Sequence, residues 1–155
     1  MNIYDFEFKI STEVKFGRNK INELTEILKT KDKEKLMIVV DEGIKKAGVL
    51  EKIEVYLDSK VDYCVFDQVR PDPTISVVKK GLEKAIDEKI DSLLALGGGS
   101  SIDTAKAIRA AYESEKLEQK PKKFDKLLLI TVPTTSGSGS EVTKTIVITD
   151  EINKH

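Results

Sequence analysis

Three consecutive glycines, Gly97-Gly98-Gly99, followed by Ser100-Ser101-Ile102-Asp103, form the stretch of this 155-residue chain best suited to chemistry. With no Cβ atoms in the way, the backbone N–H groups of such a turn can approach a ligand closely, and positive φ angles are open to it. A helix starting at Ser100 or Ser101 would add unpaired N–H donors and the positive end of its dipole. Phosphate is the group that this combination holds best. The same residues also suit a plain glycine turn with Ser100 as an N-cap, so the rest of the chain must decide.

Further polar residues could complete a nucleotide site. Ser100 offers a hydroxyl donor to a pyrophosphate held by Gly98 and Gly99. Asp103, in the first helical turn, would orient the loop or bind a ligand hydroxyl; otherwise it is a helix-start carboxylate worth ~0.3–1 kcal/mol against the dipole. Asp41 closes an apolar run and would accept hydrogen bonds from an adenine ribose. A carboxylate there repels a 2′-phosphate and favours NAD over NADP; the alternative is a solvated residue at a strand end. The common GxGxxG fingerprint places its acid about 20 residues after the glycines, whereas Asp41 precedes them. Downstream, Thr134, Thr135, Ser136 and Ser138 offer hydroxyls, and Gly137 and Gly139 permit close approach to phosphate or nicotinamide. A loose Ser/Gly linker is the other reading, but Pro133 before it and Glu141-Val142-Thr143 after it favour an ordered loop.

Other chemistry is excluded by composition. The one histidine is His155, at the terminus, so no Ser/His/Asp or Cys/His set and no multi-histidine metal site can be built. Cys64 is the lone cysteine and reads as a buried free thiol suited to a reducing compartment. The 26 basic and 27 acidic side chains nearly cancel, so no field draws the protein to nucleic acid or anionic lipid. No apolar leader opens the sequence and no stretch is long enough to span a bilayer. A cytoplasmic protein is expected.

The elements that must position these residues alternate. Residues 4–16 alternate apolar and polar side chains and predict a β-hairpin or two edge strands, whose free edges would be hidden by pairing between two copies. Helical spacing follows over 19–29, with Ile21, Leu24, Ile27 and Leu28 on one face. A buried strand is expected at 36–40, and a helix over 44–57, broken near Gly48, with Val49, Ile53, Tyr56 and Leu57 inward. A strand at 61–66 leads to Asp72-Pro73, read as the cap and first position of a helix over 74–88, with Ile75, Val78, Leu82 and Ile86 inward. The central strand, 92–96, precedes the glycine turn and a helix burying Ile102, Ala105 and Ile108. Residues 113–126 read as a charged surface loop, 127–132 as another buried strand, and 145–149 as a last strand.

That order implies an α/β fold, a Rossmann-like, mostly parallel sheet with helices on both faces, preceded by an N-terminal hairpin. The whole chain, 1–155, reads as one dinucleotide-binding domain, with the hairpin at 1–17 and the α/β core at 18–155. Ligands bind such sheets beyond the carboxyl ends of strands. Asp41, Asp72, the glycine turn and the hydroxyl-rich loop all fall there, which is the strongest argument for one shared site.

Taken together, VVDEGIKKAGVL, RPDPTISVVKKGL, LLALGGGSSIDTAKAI and ITVPTTSGSGSEVTKTIVITDE resemble the iron-containing (group III) alcohol dehydrogenase family. GGGSxxDxAK combined with PTTxGxGSEVT is specific. Glycerol dehydrogenases and dehydroquinate synthases are similar in fold and share a GGG turn, but the serine after the glycines and the TTSGSGSE loop favour the alcohol dehydrogenases. The resemblance implies hydride transfer between NAD(P)H and small aldehydes or alcohols, with a divalent metal, iron or zinc. It also implies that Asp41 meets the adenosine ribose, that Gly98, Gly99 and Ser100 meet the pyrophosphate, and that Asp103 lies in the same region. Thr134, Thr135, Ser138 and Thr143 would line the cofactor cleft. Asp72 falls where the family often has Asn, near the adenosine. The family's metal ligands, an Asp and three His, belong to a helical carboxyl-terminal domain beyond this sequence, so the chain alone is expected to be inactive. The rival expectation is a stand-alone, non-catalytic nucleotide-binding or assembly module that pairs through its hairpin.

Overall fold

The computed structural model describes residues 11–57, 61–118 and 126–151. After a 3-10 turn at Lys20–Glu23, the helices are α1 (Leu24–Thr30), α2 (Glu42–Lys46), α3 (Val49–Glu54), α4 (Ile75–Asp87) and α5 (Gly99–Glu118). The strands are β1 (Lys35–Asp41), β2 (Asp62–Val69), β3 (Ser92–Gly97) and β4 (Leu128–Pro133). Among the described residues the strands form one parallel sheet of order β2-β1-β3-β4.

Both faces of the central strands are covered, which is why they read as unbroken apolar runs. Leu36, Ile38 and Val40 face one way and pack with Leu24, Leu28, Leu50 and Ile53. Met37 and Val39 face the other way, with Ala85, Ile102, Ala105 and Ile108. At the opposite end from the glycines, Asp91 ties β1 to the start of β3 by accepting from the amides of Glu34 (2.8 Å) and Lys35 (3.3 Å).

Several expectations are corrected. The helical stretch after β1 does break at Gly48, which adopts φ +68° between two short helices, but the buried residues of the second are Leu50 and Ile53. The N-cap of α4 is Thr74, not Asp72: the Thr74 hydroxyl accepts from the Val77 amide at 3.4 Å. Asp72 itself sits at φ +52°. The inner face of α4 centres on the buried Gly81 and Ala85, while Ile75 and Ile86 are exposed. The glycine-turn helix begins at Gly99 and not at Ser100 or Ser101, and it runs to Glu118. Residues 113–118 are therefore helical, helped by an Arg109–Glu113 pair at 2.9 Å. Cys64 is half-buried instead of buried, and burial raises the pKa of its thiol.

Residues 145–149 form no strand; only Thr149 makes an isolated bridge, to Thr74. Their polar groups are taken by partners outside any sheet, as described below. Residues 11–16 also form no strand, and Phe16 is 95% exposed. The rest of the expected hairpin lies outside the described residues. No helix among the described residues is long and apolar enough to cross a membrane.

Candidate functional site

β1 and β3 are neighbours, but the chain leaves β1 towards β2 on one side of the sheet and β3 towards β4 on the other. This reversal opens a crevice at the carboxyl ends of the two strands. Asp41 ends β1 and Gly97 ends β3, so the topology alone brings these two candidates together.

Their contact is close. A Cβ built on Gly97 would stand 3.1 Å from Asp41 Oδ2 and 2.5 Å from Ser101 Oγ. Gly97 has φ +146°, which few side chains tolerate, so glycine is required here on both counts. Asp41 Oδ1 accepts from the Ile44 amide at 3.0 Å and caps α2. Asp41 Oδ2 accepts from Ser101 Oγ at 3.3 Å. Each carboxylate oxygen can accept a second hydrogen bond, so a ribose hydroxyl could still be taken.

Gly98 precedes the first residue of α5, and its carbonyl accepts from the Ile102 amide at 3.1 Å. The amides before Ile102 have no partner within the helix and lie at the positive end of its dipole. Residues 134–140 face this turn. The Thr134 amide donates to the Gly97 carbonyl at 3.0 Å. Cβ atoms added at Gly98 or Gly99 would stand 2.9 Å from Thr135 Oγ1, or 3.4 Å from Ser140 Oγ and 3.5 Å from Ser138 Cβ. The structure thus gathers Asp41, Gly98, Gly99, Ser100, Thr134, Thr135 and Ser138 at one end of the sheet. These groups could hold a nucleotide: amides and hydroxyls beside the glycines would donate to phosphate, and the Asp41 carboxylate would accept from ribose.

Asp103 is placed differently. It is nearly buried; Oδ2 accepts from the Val147 amide at 3.1 Å, and Oδ1 lies 3.4 Å from Lys106 Nζ. Lys106 also donates to the Thr145 carbonyl at 2.9 Å and to Thr143 Oγ1 at 3.5 Å. This pair pins residues 143–147 onto α5, a segment other than the glycine loop that the sequence reading has Asp103 orient. Asp72 makes no hydrogen bond or ion pair with the other candidates.

Three residues of the site carried no local signal strong enough to be chosen: Ser101, Lys106 and Ser140. Only Lys106, three residues after Asp103 on a helix, had a spacing that could have marked it. Beyond Asp41, α2 carries Lys45, whose Nζ lies 2.5 Å from Asp67 Oδ2 on β2. This ammonium holds the Asp67 carboxyl below the usual carboxylate range, and Lys46 does the same to Glu42.

A parallel sheet of this order with a glycine turn at its switch point defines a Rossmann-like domain. The family model "Iron-containing alcohol dehydrogenase" matches residues 11–155. The chain belongs to that family. Choline dehydrogenase of Bacillus subtilis (strain 168) is 39% identical over 153 residues, covering 93% of this chain and 38% of that protein. NADH-dependent butanol dehydrogenase A of Clostridium acetobutylicum is 32% identical, over 94% of this chain and 39% of that protein. The solved iron-containing alcohol dehydrogenase of Thermococcus thioreducens superposes with a TM-score of 0.81 at 28% identity, over 94% of this chain and 41% of its own. The chain therefore spans well under half the length of each.

Family membership implies a metal. Among the described residues no group of three or more His, Cys, Asp or Glu is placed to hold one, so they do not fit that role.

Proposed function

We propose that this chain is the dinucleotide-binding part of an NAD-dependent alcohol dehydrogenase that interconverts small alcohols and aldehydes or ketones. The observation that carries this reading is the Asp41 carboxylate set against Gly97 at the switch point, beside the bare first turn of α5. The nicotinamide supplies the hydride acceptor or donor when bound. Gly98, Gly99 and Ser100 would hold the diphosphate by main-chain amides and one hydroxyl. Thr134, Thr135, Ser138 and Thr143 would line the approach, and Asp41 would take the ribose and disfavour a 2′-phosphate. Asp72 would lie towards the adenosine.

NAD, in preference to NADP, is also supported by the Clostridium relative, an NADH-dependent butanol dehydrogenase. The divalent metal, iron or zinc, would be held by residues outside this chain, so the chain alone would bind cofactor and turn nothing over. We place the protein in the cytoplasm, as a homodimer paired through its first 17 residues.

Titration with NADH, followed by nicotinamide fluorescence and repeated with ADP-ribose as competitor, tests the reading. Saturable binding that ADP-ribose displaces, and that Gly99→Val abolishes, is expected. Absence of binding, or binding that survives Gly99→Val in a folded protein, would refute it.

A further inference from the structure

Glu42, Lys45 and Lys46 on α2, with Asp67 on β2, line a cleft of about 360 Å3. Asp41 is the N-cap of that helix, so the cleft adjoins the carboxylate read above as the ribose acceptor. β2 reaches it through a slip in register. Val39 opposes Phe66 but Asp41 opposes Val69, which leaves Asp67 and Gln68 beside Val40. Phe66 packs in the core under α4 and α5, so its neighbour Asp67 projects from the opposite face of the sheet, where α2 lies.

A 2′-phosphate needs cations to replace its water. Two lysines stand at this cleft, and both are engaged. Lys46 pairs with Glu42 at 2.8 Å, one turn away on the same helix, with both side chains more than 70% exposed. Such a contact opens easily. Lys45 instead crosses from helix to strand to meet Asp67, and both of these side chains are less than half exposed. Arg70 lies within electrostatic reach of Glu42.

Resting on the dinucleotide reading, we propose that Asp67 is a specificity-determining residue: by engaging Lys45, the less exposed of the cleft's two lysines, it keeps that ammonium from the 2′-phosphate of NADP. Asp41 would repel that phosphate directly, and Asp67 would withhold the Lys45 counter-charge. Cofactor choice is then set by two carboxylates on adjacent strands.

Calorimetric titration of the chain with NAD+ and with NADP+ tests this, using wild type, Asp67→Asn and Asp67→Asn/Lys45→Met, each checked for folding by circular dichroism. Asp67→Asn should raise affinity for NADP+ about fivefold, the size expected of one exposed ion pair, and leave NAD+ affinity within about twofold. Adding Lys45→Met should abolish the gain. An unchanged NADP+/NAD+ ratio in Asp67→Asn overturns the proposal. So does a gain that persists without Lys45, since the effect would then be removal of a negative charge alone. If wild type binds neither dinucleotide, the nucleotide reading itself fails, an outcome separate from a flat ratio in a chain that binds NAD+.

Discussion

Gly97→Ala probes the corner where β1, β3 and α5 meet. At φ +146° an L side chain is strained by about 1–3 kcal/mol. The new Cβ would also fall 2.5 Å from Ser101 Oγ and 2.9 Å from Ser101 Cβ. Ser101 is wholly buried, so its hydroxyl can escape only by leaving Asp41 Oδ2, which it meets at 3.3 Å. Losing a hydrogen bond to a charged acceptor costs about 1.5–3 kcal/mol. Together the two effects predict a loss of about 2.5–6 kcal/mol, a large share of the roughly 5–15 kcal/mol typical of a domain. Urea denaturation followed by circular dichroism measures it. In a Ser101→Gly background the clash with the serine disappears and backbone strain, with the 3.1 Å approach to Asp41 Oδ2, remains, so the cost of Gly97→Ala should shrink to about 1–3 kcal/mol. A Gly97→Ala variant within about 1 kcal/mol of wild type, or an equal cost in both backgrounds, would refute this account.

Three further outcomes are expected. Asp103→Ala should destabilise by about 1–3 kcal/mol by leaving the Val147 amide and Lys106 without their buried partner and should speed hydrogen exchange across residues 143–147, with Asp103→Asn retaining part of the protection; unchanged exchange in the alanine variant would count against the clasp. Gly81→Ala would place a Cβ 2.3 Å from Ile108 Cδ1, so despite the better helix former it should lose about 1–3 kcal/mol by overpacking, and denaturation of the Gly81→Ala/Ile108→Val double variant should show partial recovery. Asp67 and Glu42 are held below the usual range by lysines, and Glu23 is held at about 2 by hydrogen bonds from Lys15 and Lys20. Their folded values lie below the unfolded ones, so their stabilisation is present above roughly pH 5 and is lost as pH falls towards 2. Urea midpoints should drop across that window and the drop should flatten in about 1 M salt; a midpoint flat from pH 7 to 3 contradicts it.

The sheet was legible in the sequence because 36–40 and 92–96 are buried on both faces, which calls for nearly unbroken apolar runs. The face of α4 was legible only in part, through Val78 and Leu82, which pack against the core. A search for large apolar side chains at helical spacing picks Ile75, Val78, Leu82 and Ile86, yet the helix approaches α5 through Gly81, whose missing Cβ leaves room for Ile108. Small residues at a close contact carry no hydrophobic signal. Residues 145–149 misled for a different reason. Their β-branched run has strand character, but its hydrogen bonds go to Asp103, Lys106, Pro73 and Ile75. Those partners lie dozens of residues upstream, beyond the reach of any local pattern.

The adjacent serines of the glycine turn show how finely the site depends on where a helix starts. Successive residues of an α-helix are separated by about 100° around its axis, so Ser100 and Ser101 cannot face the same way. The sequence permits a start at Ser100 or Ser101, and a start at Ser101 would make Ser100 the cap. Because α5 begins at Gly99, neither serine is the cap. Ser101 turns inward, fully buried, and donates to Asp41, while Ser100 stays half-buried at the crevice. The hydroxyl that locks β1 to the glycine turn and the one left for a ligand are thus assigned by an offset of one or two residues. That offset is fixed by Gly97 and Gly98: the Gly97 carbonyl is bound by the Thr134 amide, and the Gly98 carbonyl accepts the first helical hydrogen bond.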